Sequence, residues 1–205
     1  MNRLTIFSLL MISSCLFFSC KKSNVGSTGT YHATGLTQES GVRLFTNGRE
    51  ITDNTVINKF IAGDSEFNLV YNASDYQAIT FTSADTATFG NPLEKFFVKK
   101  SDGLYLFYSP YYTPVPDVSD YPVITKYNGP TIQQPYGANS SRTVTQGIYV
   151  AHTGSGAFAL SVLAYKVSLA SGYTAYGEAL NDFNDDVKLG LNDTLAVRQY
   201  AVTYK

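Results

Sequence analysis

The stretch Glu94–Lys100, Asp102-Gly103, Leu104–Tyr108 constrains the fold most. Two apolar-rich runs flank an Asp-Gly pair, the strongest short-range signal for a two-residue hairpin turn. Such a turn pairs Ser101 with Leu104 and sets every pair behind it. Phe97 then faces Tyr108 and Lys99 faces Leu106 on one side, with Val98 and Phe107 opposite each other on the other side. Both faces carry apolar or aromatic residues, so one is expected on the core and the other covered or lining a cavity.

The same period of two recurs along the chain. Val42–Phe45 precedes the turn pair Asn47-Gly48. Phe67, Leu69 and Tyr71 alternate, then Gln77, Ile79 and Phe81 after the turn at Asn72–Asp75. Thr86–Phe89 is a short strand before Gly90-Asn91-Pro92. Later strands are expected at Val144–Ala151, Phe158–Leu169, Tyr173–Ala179 and Thr194–Tyr204, with Gly154-Ser155-Gly156 and Ser171-Gly172 as turns. One helix interrupts the pattern. Asp53 can cap it, Val56, Ile57, Phe60 and Ile61 form one stripe, and Gly63 stops it. Closely spaced strands with one early helix predict an all-β, antiparallel barrel, with a β-sandwich as the alternative.

The N-terminus reads as an export signal. Arg3 supplies a basic start, Leu4–Phe18 is mostly apolar, and Ser19-Cys20-Lys21-Lys22 follows. The run is shorter than the ~20 apolar residues a spanning helix needs. Leu16-Phe17-Phe18-Ser19-Cys20 resembles the lipobox of bacterial lipoprotein signals, and Phe-Ser-Cys-Lys-Lys is similar to Bacteroidetes-type lipoproteins. Ile12-Ser13-Ser14-Cys15 also fits that pattern, but a cut there would leave Leu16–Phe18 as an exposed apolar stub. The resemblance implies that residues 1–19 are removed, that Cys20 is acylated, and that the protein is lipid-anchored to the outer membrane. Acidic residues after the cysteine mark surface export in that family; here Lys21-Lys22-Ser23 follows, which implies the periplasmic side. Each buried acyl methylene contributes roughly 0.8 kcal/mol, and stable anchoring takes two chains or more. The small polar residues from Lys21 to Gly29 form a tether with an r.m.s. reach of roughly 17 Å. Residues 30–205 then make a single domain. Gly29-Thr30-Tyr31 before meandering strands also resembles the lipocalin-like domains of bacterial lipoproteins, whose Gly-x-Trp signature lacks its tryptophan in this chain.

Cys15 and Cys20 are the only cysteines, so the domain relies on its own core rather than on disulfides. A net charge of −1 argues against nucleic acid as a partner. The segment from Ser109 to Arg142 holds six of the seven prolines and breaks the strand pattern, so it reads as a loop insertion with Val123–Tyr127 as a short strand inside it. Tyr111, Tyr112, Tyr121, Tyr127 and Tyr136 lie within it. Proline stiffens the backbone, and tyrosine offers a ring face with a polar tip, which suits a glycan or a small apolar ligand; packing onto the domain is the plainer role for the same rings.

Catalytic chemistry is sparse. His152 precedes Thr153-Gly154-Ser155-Gly156, but Gly-x-Ser-x-Gly spacing is absent and the glycines suit a tight turn. Glu178 and Asp182 are the one carboxylate pair considered for acid–base work. Asp182, Asn184, Asp186 and Asp193 fall at positions 1, 3, 5 and 12 of an EF-type calcium loop, with Val187 where Gly is needed and Asp193 where a longer Glu is usual. A polar turn explains them as well. The sequence therefore points to no cofactor and no enzyme. It points to an envelope-anchored binding module for a small apolar ligand or glycan, or else to an assembly lipoprotein contacting another envelope protein, with a hydrolase ranked last.

Overall fold

The computed structural model describes residues 28–63, 67, 72–89, 94–115, 121–137, 140–154 and 156–205. Cys20, the signal segment and Ser155 lie outside the described residues, as do most of the strand expected at Phe67–Tyr71 and the turn at Gly90–Pro92. No described helix is long and apolar enough to cross a membrane.

The all-β expectation holds. The strands are β1 (Gly29–Tyr31), β2 (Ala33–Gln38), β3 (Arg43–Thr46), β4 (Arg49–Ile51), β5 (Ile79–Ser83), β6 (Thr86–Phe89), β7 (Glu94–Ser101), β8 (Leu104–Pro114), β9 (Thr131–Pro135), β10 (Ser141–Thr153), β11 (Phe158–Ser168), β12 (Thr174–Ala179) and β13 (Thr194–Tyr204). The helix α1 (Asn54–Ile61) forms as expected, with the Asp53 carboxylate accepting from the Thr55 and Val56 amides. Ile57 and Ile61 are its buried residues, and they pack with Leu44, Phe67 and Ala196.

All thirteen strands join one antiparallel sheet with the order β1-β5-β6-β7-β8-β10-β11-β13-β3-β4. This path does not return to its first strand, so the closed up-and-down barrel gives way to a folded-over, sandwich-like sheet. The physical reason is that edges are shared. One edge of β13 is divided between β3, on Thr194–Val197, and β2, on Tyr200–Tyr204. One edge of β11 is divided between β10 and β12.

The two halves of the sheet face each other across an aromatic core. Phe81, Tyr105 and Phe107 of β5 and β8 surround Phe158 of β11, with ring centroids 6.0, 6.1 and 6.4 Å away. Tyr204 stacks on the same ring at 5.1 Å. These rings are almost wholly buried, and burying a side chain of this kind stabilises by roughly 1.5–3 kcal/mol. Both faces of β11 and β13 are covered. Leu163, Val167, Leu195 and Val197 point away from that core into a second cluster with Phe45, Ile124 and Phe183. This explains why β11 reads as a nearly continuous apolar run.

The hairpin register is the one expected, with Phe97 opposite Tyr108 and Val98 opposite Phe107. The proline-rich stretch differs from expectation. It is not one long loop: β8 runs through Pro110 to Pro114, β9 occupies Thr131–Pro135, and β10 starts at Ser141. Val123–Tyr127 makes only an isolated bridge, Thr125 to Phe183.

Strand polarity gives the domain two ends. Ala33 pairs with Tyr204, Tyr204 with Phe158, and Phe158 with Thr153, whose amide donates to the Gly103 carbonyl. The chain thus enters the sheet at the end holding the Asp102-Gly103 turn. From that turn β8 runs eleven residues to the opposite end, about 33 Å at ~3.3 Å per residue.

Candidate functional site

At that opposite end the ladders β8–β10 and β10–β9 continue as a three-stranded ribbon. Beside Pro110 the ladder is irregular, and the Tyr111 amide donates to Ser109 Oγ at 3.1 Å. Pro114 is placed where it costs no ladder bond. The Val115 amide donates to Thr143, so residues 113 and 115 face β10 and Pro114 turns its missing donor outward. Pro135 does the same on β9, where the amides of residues 132, 134 and 136 turn toward β10.

The ribbon is exposed along β9 and along Pro110–Pro114. It displays three of the five tyrosines singled out from the sequence. Tyr111 and Tyr136 are 59% and 60% exposed and Tyr112 is at 36%; Ile132, at 45%, shares the face of Tyr112 and Tyr136, while Tyr111 points to the other face. The Arg142 guanidinium sits 4.9 Å over the Tyr136 ring, which holds that ring in place. Tyr121 behaves differently. It packs against the second core cluster with its ring 6.1 Å from Tyr173, and burial, followed by Tyr165, pushes its hydroxyl's pKa up. It is a packing residue, as the plainer reading held.

Tyr127 lies at the base of the ribbon. Its backbone is clamped by the buried Asn181, whose Oδ1 accepts from the Tyr127 amide at 3.1 Å and whose Nδ2 donates to the Tyr127 and Ile148 carbonyls at 2.8 and 3.1 Å. The neighbouring turn is closed by Thr125 Oγ1 donating to Asn128 Oδ1 and by Asn128 Nδ2 donating to the Thr125 carbonyl. Gly129 lies flat on β10, where a Cβ would run into the Gln146 carbonyl.

This clamp sits at a fork. The edge of β10 is held by β9 as far as Thr145 and by β11 from Ala151 onward. Between them the β10 ladder slips register at Gly147, between Gln146 and Ile148. There a cleft of about 300 Å³ opens, lined by Thr113, Thr125, Tyr127, Asn128, Thr145, Gln146, Tyr149 and Glu178 among others. Burial, with a smaller push from Glu94, raises the pKa of the Tyr149 hydroxyl. The ring of Tyr149 packs 5.0 Å from Phe96. Sequence reasoning missed Asn181, Gln146, Asn128 and Tyr149. The one signal available was Gly147 inside a strand pattern, which marks a bulge.

Below the fork lies a polar cluster. Asp182 is buried, accepts from Ser161 Oγ at 2.6 Å, and has His152 Nε2 at 3.0 and 3.1 Å from its two oxygens. The order is Ser–Asp–His, with the carboxylate in the middle. A nucleophile-activating array needs the imidazole in the middle, so this arrangement does not deprotonate Ser161. Glu178 lies elsewhere, with Tyr76 Oη at 3.5 Å from Oε1.

The four calcium-loop positions are not gathered round a common point. Asn184 Nδ2 donates to the Val123 carbonyl, and its Oδ1 accepts from the Asp186 amide. Asp193 accepts from the Ala170 and Gly190 amides. Among the described residues no group of three or more His, Cys, Asp or Glu is placed to hold a metal.

No family model, curated protein or solved structure matches this chain.

Proposed function

We propose that the protein is an envelope-anchored lipoprotein that binds a glycan with the end of the domain carrying the tyrosine ribbon. The anchor rests on the sequence: a basic start, an apolar run and Cys20 followed by a polar tether. The glycan reading rests on one observation above all. At the end of the sheet remote from the start of β2, the ribbon exposes Tyr112 and Tyr136 on one face and Tyr111 on the other. Rings on a stiff backbone give contact area at low entropic cost, and their hydroxyls supply polar contacts. A tether at the other end turns this surface away from the bilayer.

A small apolar ligand fits less well, because the space between the two halves of the sheet is occupied by Phe81, Phe107, Phe158 and Tyr204. That argument also covers a lipocalin-like roll. Support for such a roll comes from β1 and β2, which lie on β5 and β13 with only His32 between them. The test is electrophoresis of the detergent-extracted protein through gels containing soluble polysaccharides. Retardation by at least one neutral polysaccharide, relieved by Tyr111→Ala with Tyr136→Ala, is expected; uniform mobility in all gels contradicts the reading.

The assembly reading has one observation in its favour. Among the described residues β9 pairs only with β10, and its outer edge presents the Thr131 and Gln133 amides with no charged side chain in the strand. An edge blunted only by Pro135 at its end can accept a further strand. Concentration-dependent self-association abolished by Gln133→Pro would favour it over glycan binding.

A further inference from the structure

We infer that the outer face of β5–β8 is a membrane-contact surface that lies on anionic lipid headgroups, with Phe97 among them and Lys95 and Lys99 on either side. This goes beyond glycan binding and rests on the lipid anchor at Cys20. Three observations carry it.

The first is an exposed sheet face. Phe81, Ala87, Phe96, Val98 and Phe107 point into the core, so the residues between them point outward. From strand to strand the outward rows read Thr80–Thr88–Lys95 and Thr86–Phe97–Tyr108, and Lys99 pairs with Leu106 beyond them. All of these residues are exposed or half-exposed. Phe97 is 57% exposed, with its ring 6.2 Å from that of Tyr108. The outer residues of β11 are treated differently, since Leu163 and Val167 are buried in the cluster with Ile124 and Phe183.

The second is where the chain enters. Gly29 pairs with Phe81, Phe81 with Ala87, and Ala87 with Phe96. Three strand spacings of ~4.8 Å put the start of β1 about 14 Å from β7. Lys21 to Gly29 are all that separates it from Cys20, a reach of roughly 17 Å. An acylated Cys20 therefore holds this half of the sheet close to the headgroups. The anchor also makes the contact intramolecular, so a surface of a few residues suffices.

The third is chemistry. Lys95 and Lys99 flank Phe97 on one face, and the outward positions of β5–β8 carry no carboxylate. Asp85 lies in the turn at the rim, where it accepts from the Ser83 and Thr86 hydroxyls and is near Lys95. Lysine stems lie along apolar surface with their ammonium groups at phosphates, and aromatic rings sit at headgroup level. A second copy laid on this face by a two-fold axis brings lysines against lysines, whereas an anionic bilayer neutralises them.

The experiment uses the lipidated full protein in vesicles of phosphatidylcholine with phosphatidylglycerol. With residues 1–19 removed and Cys20 acylated, an introduced cysteine is the only free thiol. A fluorophore is attached at Thr82→Cys on the outer face, at Tyr136→Cys on the ribbon or at Leu191→Cys on an exposed turn, and is quenched by lipids carrying a nitroxide near the headgroup. The expected result is quenching strongest at position 82. Lys99→Gln in that background should weaken the contact about fivefold, the effect of one cation at an anionic surface. Phe97→Ser should also weaken it, with melting unchanged in both variants. Equal quenching at the three positions, stronger quenching at 136 or 191, or indifference to both substitutions overturns the inference. Flotation with the vesicles at high salt separates it from the anchor. A wild type that floats while the probe at 82 stays unquenched overturns the face and leaves the anchor standing; a wild type that does not float overturns both.

Discussion

Asp182 and Ser161 share a 2.6 Å hydrogen bond below the fork, where the edge of β11 passes from β10 to β12, with both residues buried. The same carboxylate faces His152. Ser161 and His152 come from adjacent strands, and Asp182 from the segment that crosses them after β12. The cluster therefore pins that crossing segment to the sheet. Replacing Asp182 by Ala leaves a buried hydroxyl without its acceptor and should destabilise the fold by about 1–3 kcal/mol. Asp182→Asn keeps an acceptor for Ser161 and should cost less. Chemical denaturation of the two variants checks the order; equal stabilities would remove the cluster from the account.

Asn181 should matter as much, through different atoms. Its amide makes three hydrogen bonds to main-chain groups of Tyr127 and Ile148. Asn181→Ala strands those groups, again at about 1–3 kcal/mol, and loosens the wall of the cleft. Hydrogen exchange should show faster exchange of the Tyr127 amide in the variant, with the core strand β11 unchanged. Unaltered exchange at Tyr127 would show that the clamp does not hold the turn.

Gly129 offers a steric test. A Cβ there runs into the Gln146 carbonyl and side chain, whereas a Cβ at Gly35 meets nothing within 4 Å. Gly129→Ala should destabilise by about 1–3 kcal/mol through overpacking, and Gly35→Ala should stay within about 0.5 kcal/mol of wild type. Thermal melting of both variants side by side reads the difference.

Arg43 provides the pH-dependent element. Its guanidinium donates to both oxygens of Glu50 at 2.9 and 3.0 Å and to Asp185 at 2.7 Å, and it lies 4.9 Å over the Phe45 ring. Arg43 holds the Glu50 carboxyl below its ordinary value of 4.5. A carboxylate with a lowered folded pKa stabilises fully above that ordinary value and loses its contribution as pH falls through the folded pKa. The partners are substantially exposed, so the pair is worth at most about 1 kcal/mol. Glu50→Gln should therefore be slightly less stable than wild type at neutral pH and indistinguishable from it well below pH 4.5. A gap that persists in acid would mean the pair acts through packing.

The anchor is tested separately. Cys20→Ala should move the protein from the detergent-requiring membrane fraction to the soluble envelope fraction. A variant that still pellets with membranes would move the lipid attachment away from Cys20 or abolish the idea.

Much of the fold was legible because it follows from local rules. The Asp102-Gly103 turn dictated the register of β7 and β8, and the Asp53 cap with its apolar stripe dictated α1. The ribbon was not legible, because proline usually ends a strand; whether Pro110 and Pro114 cost a ladder bond depends on which edge is open, and that is a tertiary fact. The polar cluster was hidden for a similar reason. Ser161 and Asp182 are separated by 21 residues and His152 and Asp182 by 30, and no local pattern brings them together. Of the tyrosines in the proline-rich stretch, the sequence could not tell Tyr121, which packs, from Tyr111 and Tyr136, which are exposed.

The central claim is that a glycan is held on the exposed rings of the ribbon. Hydrogen–deuterium exchange of the full protein, with and without the oligosaccharide it binds, tests this most directly. The account predicts slowed exchange at residues 111–113 and 131–136, with β5, β6 and the Asp102-Gly103 turn unaffected. Slowing confined to that turn and the strands around it, or no slowing at all under saturating ligand, would contradict it.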